Sequence, residues 1–316
     1  MTCHSAKVEI AENPKLSVCI ITFNHAEFIA KALDSVLTQQ TSFEYNVIIG
    51  DDCSTDGTDK IIEMYQRRWP DKFSPLCREK NVGMGKNLKE TLERCSGEYV
   101  AFLEGDDYWT DPRKLQAQVD HLDNNPGCAL CHHRVDYISW PGGEKLKEFP
   151  PRRFRVDRPD PRTLAMCNFI QTCSVVCRRK WLPLFDEELE ELKLADWPLF
   201  VLLSERGWIG YLDRTMAHYR VHANNSWKAR PIDYQMRGLE RMARYLLERV
   251  DDRSKDSWKD MILTLAFKEV VLALQSFAFG RSVGKLKRFI KRSVEFKKPF
   301  WTFNRLWPHY RANNCK

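Results

Sequence analysis

Leu16-Ser-Val-Cys-Ile-Ile-Thr-Phe-Asn24, Tyr45-Asn-Val-Ile-Ile-Gly-Asp-Asp52 and Glu98-Tyr-Val-Ala-Phe-Leu-Glu104 are short apolar runs that close on polar or acidic residues. Runs of this length bounded by turn formers read as buried strands. The intervals between them have helical spacing. From His25 to Gln40, Phe28, Ile29, Ala32, Leu33, Val36 and Leu37 step by three and four and so share one helix face. Ile61, Ile62 and Tyr65 mark a second helix, Phe73 to Arg78 a weak strand, and Gly83 to Cys95 a third helix. Asp111-Pro112 opens another, with Asp111 as its cap. Strands that alternate with helices predict an α/β fold with right-handed crossovers and a mainly parallel, doubly wound sheet.

In such sheets ligands sit outside the carboxyl ends of the strands. The residues there are Phe23 and Asn24, then Asp51 and Asp52, then Lys80, Asn81 and Gly83, then Glu104, Asp106 and Asp107. Five carboxylates thus gather on one edge, with the two acidic clusters expected at adjacent strand ends. Crowded carboxylates repel, and a pKa must rise unless a cation is present. Hard oxygen ligands favour Mg²⁺ or Mn²⁺. Asp56 and Asp111 read more simply as turn and cap residues.

Composition sets the outer limits. The chain has 316 residues and a mass of 37.2 kDa, with 43% hydrophobic and 29% charged residues, which excludes wholesale disorder. No apolar run approaches the ~20 residues of a transmembrane helix. Residues 1–13 are polar, without a signal-peptide core, so a cytoplasmic protein is expected. Eleven cysteines without framework spacing read as reduced, mostly buried thiols. The run Cys128-Ala-Leu-Cys-His-His133 has haem-attachment and zinc-like spacing, but reads as a strand that places Cys128, Leu130, His132 and Arg134 on one face. Charge is uneven. Residues 281–316 hold eleven Lys or Arg and one Glu, a net +10 within a chain total of +7. The preceding residues are therefore close to neutral.

Six segments, in order, resemble family 2 glycosyltransferases of the GT-A fold, of the type that builds bacterial cell-surface polysaccharides. They are Ser17 to Asn24, Gly50-Asp-Asp-Cys-Ser-Thr-Asp-Gly-Thr58, Asn81-Val-Gly83 with Asn87, Gly97 to Trp109, Ala195-Asp-Trp-Pro-Leu-Phe200, and Tyr219-Arg-Val-His-Ala-Asn-Asn-Ser226. There are departures from the family pattern. Ile21 stands where the family often has Pro, Cys53 replaces a usual Gly, and the metal motif reads Glu104-Gly-Asp106 rather than Asp-x-Asp.

The resemblance implies a Rossmann-like GT-A sheet with helices on both faces. It implies a nucleotide diphosphate sugar donor, commonly a UDP-sugar, and a glycan or lipid-linked acceptor. The divalent ion, Mn²⁺ or Mg²⁺, is implied on Asp106, Glu104 and His222. Donor contacts fall on Thr22, Phe23, Asn24, Asp51, Asp52, Asn81, Asp106, Asp107 and Arg220, with Phe23 able to stack on the base. The family inverts the anomeric centre, and the base taking the acceptor proton is Asp196 by this resemblance. Asp196 also reads as the N-cap of a helix over 198–204. The expected organisation is an N-terminal segment 1–14, a GT-A domain 15–228 and a helical, basic extension 229–316.

In that extension, Ile232 to Val250, Trp258 to Phe279 and Arg281 to Phe296 have helical spacing. The last has an apolar stripe of Val283, Leu286, Phe289, Ile290 and Val294 among basic residues. Phe300, Trp301, Phe303, Trp307 and Tyr310 follow. This is the composition of a segment that lies on an anionic membrane surface, here the inner face of the cell membrane. No nucleic-acid module accompanies the charge, so no nucleic-acid partner is expected. A non-catalytic nucleotide-sugar or membrane-surface binder on the same scaffold is the alternative reading; Asp196 favours an enzyme.

Overall fold

The structure is a computed structural model describing residues 14–76, 78–192, 194, 196–223, 230–275, 279–296 and 298. The expected N-terminal segment, all but Pro14, and the aromatic residues from Phe300 to Tyr310 lie outside the described residues.

The chain divides into two compact units. The first comprises residues 1–159 and 169–225, the second residues 160–168 and 226–316. In the first unit, β1 (Leu16–Thr22), α1 (Ile29–Leu37), β2 (Tyr45–Asp51), α2 (Thr58–Arg68), β3 (Phe73–Leu76), α3 (Met84–Glu93) and β4 (Tyr99–Glu104) alternate as the apolar spacing predicts. Then follow β5 (Tyr108–Trp109), α4 (Lys114–Asp123), β6 (Cys128–Ser139), β7 (Lys145–Phe149), β8 (Val176–Arg178), α5 (Glu187–Glu190), α6 (Asp196–Ser204) and β9 (Trp208–Val221).

One sheet holds all nine strands in the order β3-β2-β1-β4-β8-β6-β9-β5, with β7 on the side of β6. Pairing is parallel from β3 through β2 and β1 to β4. Beyond β4 it is mixed: β8 is antiparallel to both β4 and β6, while β6 and β9 run parallel. β1, β2 and β4 are buried along nearly their whole length, which is why their sequences are continuous apolar runs rather than alternating ones. β3 sits at the sheet edge and tolerates Pro75, because an edge strand can spare a donor.

Two expectations change. β1 lies between β2 and β4, so the acidic ends of β2 and β4 are not neighbours; Thr22 pairs with Asp51 and Ile21 with Glu104 on opposite sides of the same strand. The helix after Asp111 begins at Lys114, and Asp111 instead accepts a hydrogen bond from the Arg113 amide at 2.8 Å. The Cys128–His133 segment lies in β6 as expected, with both histidines buried. Among the described residues Cys19, Cys53, Cys95, Cys128, Cys131, Cys167, Cys173 and Cys177 are free thiols, and all but Cys53 are buried.

The second unit contains α7 (Ile232–Leu247), α8 (Asp252–Gln275) and α9 (Phe279–Glu295). Phe289 of α9 packs on Leu263, Ala266 and Val270 of α8. Arg292 joins Glu240 of α7 at 2.5 Å. Among the described residues no helix is long and apolar enough to cross a membrane.

Gly97 starts the turn into β4, and its amide donates to the Ser17 hydroxyl at 2.9 Å. A Cβ there would lie 2.5 Å from the Ser17 nitrogen and 2.6 Å from the Leu16 carbonyl carbon, both backbone atoms that cannot rotate away. Gly97→Ala is therefore expected to destabilise the first unit by about 1–3 kcal/mol, read as a lower urea midpoint at unchanged m-value.

Candidate functional site

The carboxyl ends of β1, β2 and β4 build the site from three loops. The first follows β1. Asn24 adopts φ of 55°, a left-handed conformation that Asn tolerates. Its side-chain carbonyl accepts from the Thr55 amide at 2.9 Å, and its own amide donates to the Ser54 hydroxyl at 2.8 Å. The β1 loop and the loop after β2 are thus laced together. Cys53 also has a left-handed φ, 61°, which explains why a glycine is usual at this position. Phe23 is 44% exposed between these turns, a large ring left uncovered.

The second loop carries Asp51 and Asp52, whose carboxylates do different things. Asp51 accepts from the Ser54 amide at 3.1 Å and from the Ser54 hydroxyl. Burial nevertheless pushes its carboxyl above the usual range. Asp52 spends both oxygens on backbone, accepting from Val82 at 2.7 Å and Gly83 at 2.9 Å, while Asn81 donates to the Asp52 carbonyl at 3.0 Å. Asp52 and Asn81 therefore anchor the 81–83 loop. Gly83, at φ of 88°, lets that loop turn into α3.

The third loop holds the acidic turn. Glu104, Asp106 and Asp107 present carboxylate oxygens all within 4.8 Å of one another. His222, just past β9, meets Asp106 Oδ2 through its Nε2 at 3.1 Å. β5 pairs with β9 through Tyr108 and His218, and the Arg220 amide donates to Asp107 Oδ1 at 3.0 Å. This is how two segments more than a hundred residues apart become one site. Asp107 Oδ2 is buried without an N–H or O–H partner among the described residues and lies beside the Cys173 thiol.

The electrostatics follow from that crowding. Burial, then the charges of Asp107, Asp106 and Asp196, push the Glu104 carboxyl well above its usual range. Burial and the Asp106 charge do the same to Asp107. Burial also works to raise Asp106, but the His222 hydrogen bond and the nearby His25 outweigh it and hold Asp106 below its usual value. Such a set of carboxylates, with one buried oxygen that no N–H or O–H reaches among the described residues, is chemically suited to a divalent cation.

Asp196 opens α6 as its first residue, two positions earlier than the sequence suggested, rather than capping it. Its Oδ2 accepts from the Thr172 hydroxyl at 3.1 Å. Burial raises its carboxyl against the pull of the Trp197 amide and the Thr172 hydroxyl. Asp196 and Glu104 line one narrow pocket with Ile21, Met84, Leu103 and Leu199.

Arg220 is placed otherwise than a surface phosphate clamp. It is 2% exposed, with its guanidinium 4.6 Å from the Tyr108 ring, 5.2 Å from Phe28 and 5.5 Å from Trp140. The site also includes His25, which sequence reasoning did not single out. Its residue type was the available signal, one position after Asn24. Asn224, Asn225 and Ser226 of the closing motif lie outside the described residues.

Comparison with known proteins identifies the family and the fold. Residues 17–182, just over half of the chain, match the profile of the family described as Glycosyl transferase family 2. An uncharacterized protein of Mycobacterium tuberculosis (strain ATCC 25618 / H37Rv) is 44% identical over 212 residues. That match covers 67% of this chain and 60% of the relative's length. The poly(ribitol-phosphate) beta-N-acetylglucosaminyltransferase TarS of Staphylococcus aureus (strain Mu50 / ATCC 700699) is 30% identical over 192 residues, covering 60% of this chain and 32% of TarS. The crystal structure of TarS residues 1–349 with UDP-GlcNAc superimposes with a TM-score of 0.65 at 19% identity, covering 95% of this chain and 88% of that one. The mannosyltransferase PcManGT of Pyrobaculum calidifontis, solved with GDP-Man and Mn²⁺, superimposes with a TM-score of 0.57 at 15% identity, covering 96% and 86%. The sheet is that of the GT-A fold.

A carboxyl whose pKa is raised on folding binds its proton more tightly in the folded state, so it costs stability as pH climbs from its unfolded value through the raised one. Glu104→Gln removes that cost. In EDTA the variant is expected to be more stable than the wild type at pH 8, with the gap narrowing toward pH 5, as measured by paired urea titrations. An equal gap at both pH values would contradict the raised Glu104.

Proposed function

The chain belongs to glycosyl transferase family 2, and from that premise we propose a metal-dependent, inverting glycosyltransferase that acts on a nucleotide diphosphate sugar, a UDP-sugar, and a hydroxyl of a cell-surface glycan or lipid-linked acceptor. The observation that carries the reading is a chain of contacts: His222 meets Asp106, Asp106 clusters with Glu104, and Glu104 lines a pocket with Asp196.

In this reading Phe23 stacks on the base, and the Asn24 and Asp51 turns shape the nucleotide pocket. Asp52 and Asn81 hold the 81–83 loop against it. Asp106, Glu104 and His222 hold a divalent ion, which when bound supplies Lewis-acid stabilisation of the departing nucleoside diphosphate. Asp107 and Arg220 position the acidic turn through the hydrogen bond that the Arg220 backbone amide donates to the Asp107 carboxylate. Asp196 takes the proton of the acceptor hydroxyl as its oxygen bonds to the anomeric carbon and the bond to the diphosphate oxygen breaks. A raised Asp196 carboxyl is a better proton acceptor than an ordinary surface aspartate, and the Thr172 hydroxyl keeps it oriented.

The protein is proposed to work in the cytoplasm, peripherally on the inner face of the cell membrane. Support comes from α9, where Val283, Leu286, Ile290 and Val294 are 47%, 40%, 45% and 73% exposed while Phe289, Arg292 and Ser293 are buried. The exposed stripe is bordered by exposed Lys287 and Lys291. Apolar residues edged by lysines suit an anionic bilayer surface.

Transfer is expected to stop in EDTA and return with Mn²⁺ or Mg²⁺, and Asp106→Asn to abolish turnover while leaving the thermal melt in EDTA cooperative. Full turnover in EDTA would remove the metal from the mechanism. Asp196→Asn is expected to lower the transfer rate ~10²–10⁴-fold with donor affinity unchanged by calorimetry. A wild-type rate would reassign the base. For the membrane, deletion of α9 would strip Phe289 from α8, so charge reversal is the cleaner probe. Lys287→Glu with Lys291→Glu should cost at least about 2 kcal/mol, roughly thirty-fold, in co-sedimentation with anionic vesicles. Equal binding by wild type and variant would exclude this face.

A further inference from the structure

His25 stands beside the acidic turn without a part in the mechanism above. Its Nε2 lies 3.7 Å from Asp106 Oδ2, the same oxygen that His222 Nε2 meets at 3.1 Å. The two imidazoles stand nearly perpendicular, with ring centroids 6.4 Å apart. We propose that His25 is a further nitrogen ligand of the divalent ion held by Asp106, and that the resulting pair of histidines makes the site select Mn²⁺ over Mg²⁺. This rests on the metal reading of the site given above.

Four observations support it. First, adjacent ligand atoms of an octahedral ion with bonds near 2.1 Å stand about 3 Å apart. The His222 nitrogen already has that separation from Asp106 Oδ2, at 3.1 Å, and the His25 nitrogen, at 3.7 Å, exceeds it by less than about 1 Å, within the reach of a side-chain torsion.

Second, the far nitrogen of His25 is occupied. Nδ1 meets the Thr22 hydroxyl at 3.1 Å, and Thr22 is itself buried. Metal-binding histidines are commonly held this way by a hydrogen bond on the other ring nitrogen, which aims the free one at the ion. Third, the backbone of His25 is pinned at both ends. Its amide donates to the Thr58 hydroxyl at 2.9 Å, and its carbonyl accepts from the Phe28 and Ile29 amides at 2.8 Å each. The ring therefore leaves from a fixed point.

Fourth, the residue between Glu104 and Asp106 is a glycine for a local reason. A Cβ on Gly105 would come 2.4 Å from the Thr22 hydroxyl oxygen and 3.0 Å from His25 Nδ1. The missing side chain is what lets the Thr22–His25 pair lie against the acidic turn. A packing role accounts for the edge-to-face contact of His25 with Phe28, at 6.1 Å between centroids, but not for a ring nitrogen directed at Asp106.

The consequence is selectivity. Mg²⁺ prefers oxygen and water, whereas first-row transition ions accept imidazole nitrogen more readily. The test uses the full chain loaded with Mn²⁺ alone. Pulsed electron paramagnetic resonance counts the nitrogens coupled to Mn²⁺ in the wild type, His25→Gln and His222→Gln. Two nitrogens are expected in the wild type and one in each variant. Mn²⁺ affinity should fall about 10–100-fold in His25→Gln, with Mg²⁺ affinity, read by competition, falling much less. Thr22→Val keeps the ligand and the side-chain volume but frees Nδ1, and should weaken Mn²⁺ binding by a smaller factor. Thermal melts in EDTA check that each variant is folded. Wild-type coupling and affinity in His25→Gln overturn the assignment of His25 alone. A wild type that binds no Mn²⁺ overturns the metal reading beneath it.

Discussion

The amide of Arg220 on the carboxylate of Asp107 is the bond on which the site depends. It joins the turn after β4 to the end of β9 and so brings His222 onto Asp106. The cost of that join is electrostatic. Three carboxylates share a few ångströms, and burial forces two of them toward the protonated form. Repulsion of this kind is tolerated where a site is pre-shaped for a cation, because the work of gathering the ligands is done by the rest of the fold. Here that work is done by the sheet, by the aromatic rings around the Arg220 guanidinium, and by the antiparallel pairing of β5 with β9.

A division of labour runs through the acidic residues. Asp52 and Asp107 give carboxylate oxygens to the backbone amides of sequence-distant segments, Val82 and Gly83 for Asp52 and Arg220 for Asp107, and so act as framework. Asp51 and Asp196 have raised carboxyls because burial outweighs the hydrogen bonds they receive, and Glu104 because burial and the neighbouring carboxylates act together. Asp106 alone of the site's carboxyls is held below its usual value, and it does so by facing two histidines. Residue type cannot separate these roles. An aspartate that ties a loop and an aspartate that faces a substrate look the same in a sequence, and only the partner atoms tell them apart.

The second unit shows the same limit on amphipathic spacing. The stripe Val283, Leu286, Phe289, Ile290 and Val294 reads as one face of α9, yet the helix is divided. Phe289 turns into the α8 contact while the other four stay in solvent. A helix has room for a packing stripe and a second apolar stripe beside it, and the 3.6-residue period does not say which residues belong to each.

The sequence by itself determined the α/β alternation, the parallel strands β1 to β4, and the identity of the family. These depend on local quantities: continuous apolar runs that can only be buried strands, helical spacing between them, and motifs read within a few residues. The weak third strand from Phe73 was legible for the same reason. Asp106, Glu104, His222 and Asp196 were reached through motif resemblance; in the fold His222 meets Asp106, Asp106 lies beside Glu104, and Glu104 and Asp196 line one pocket. Tertiary structure alone decided the rest. The strand order put β1 between the two acidic ends, because order in a sheet is set by crossovers that leave no local trace. The burial of Arg220 among three rings, the engagement of Asp52 by Val82 and Gly83, and the approach of His25 to Asp106 are contacts between residues distant in the chain or turned by a single backbone torsion. Their physical basis is distance and desolvation in three dimensions, and neither has a period in one.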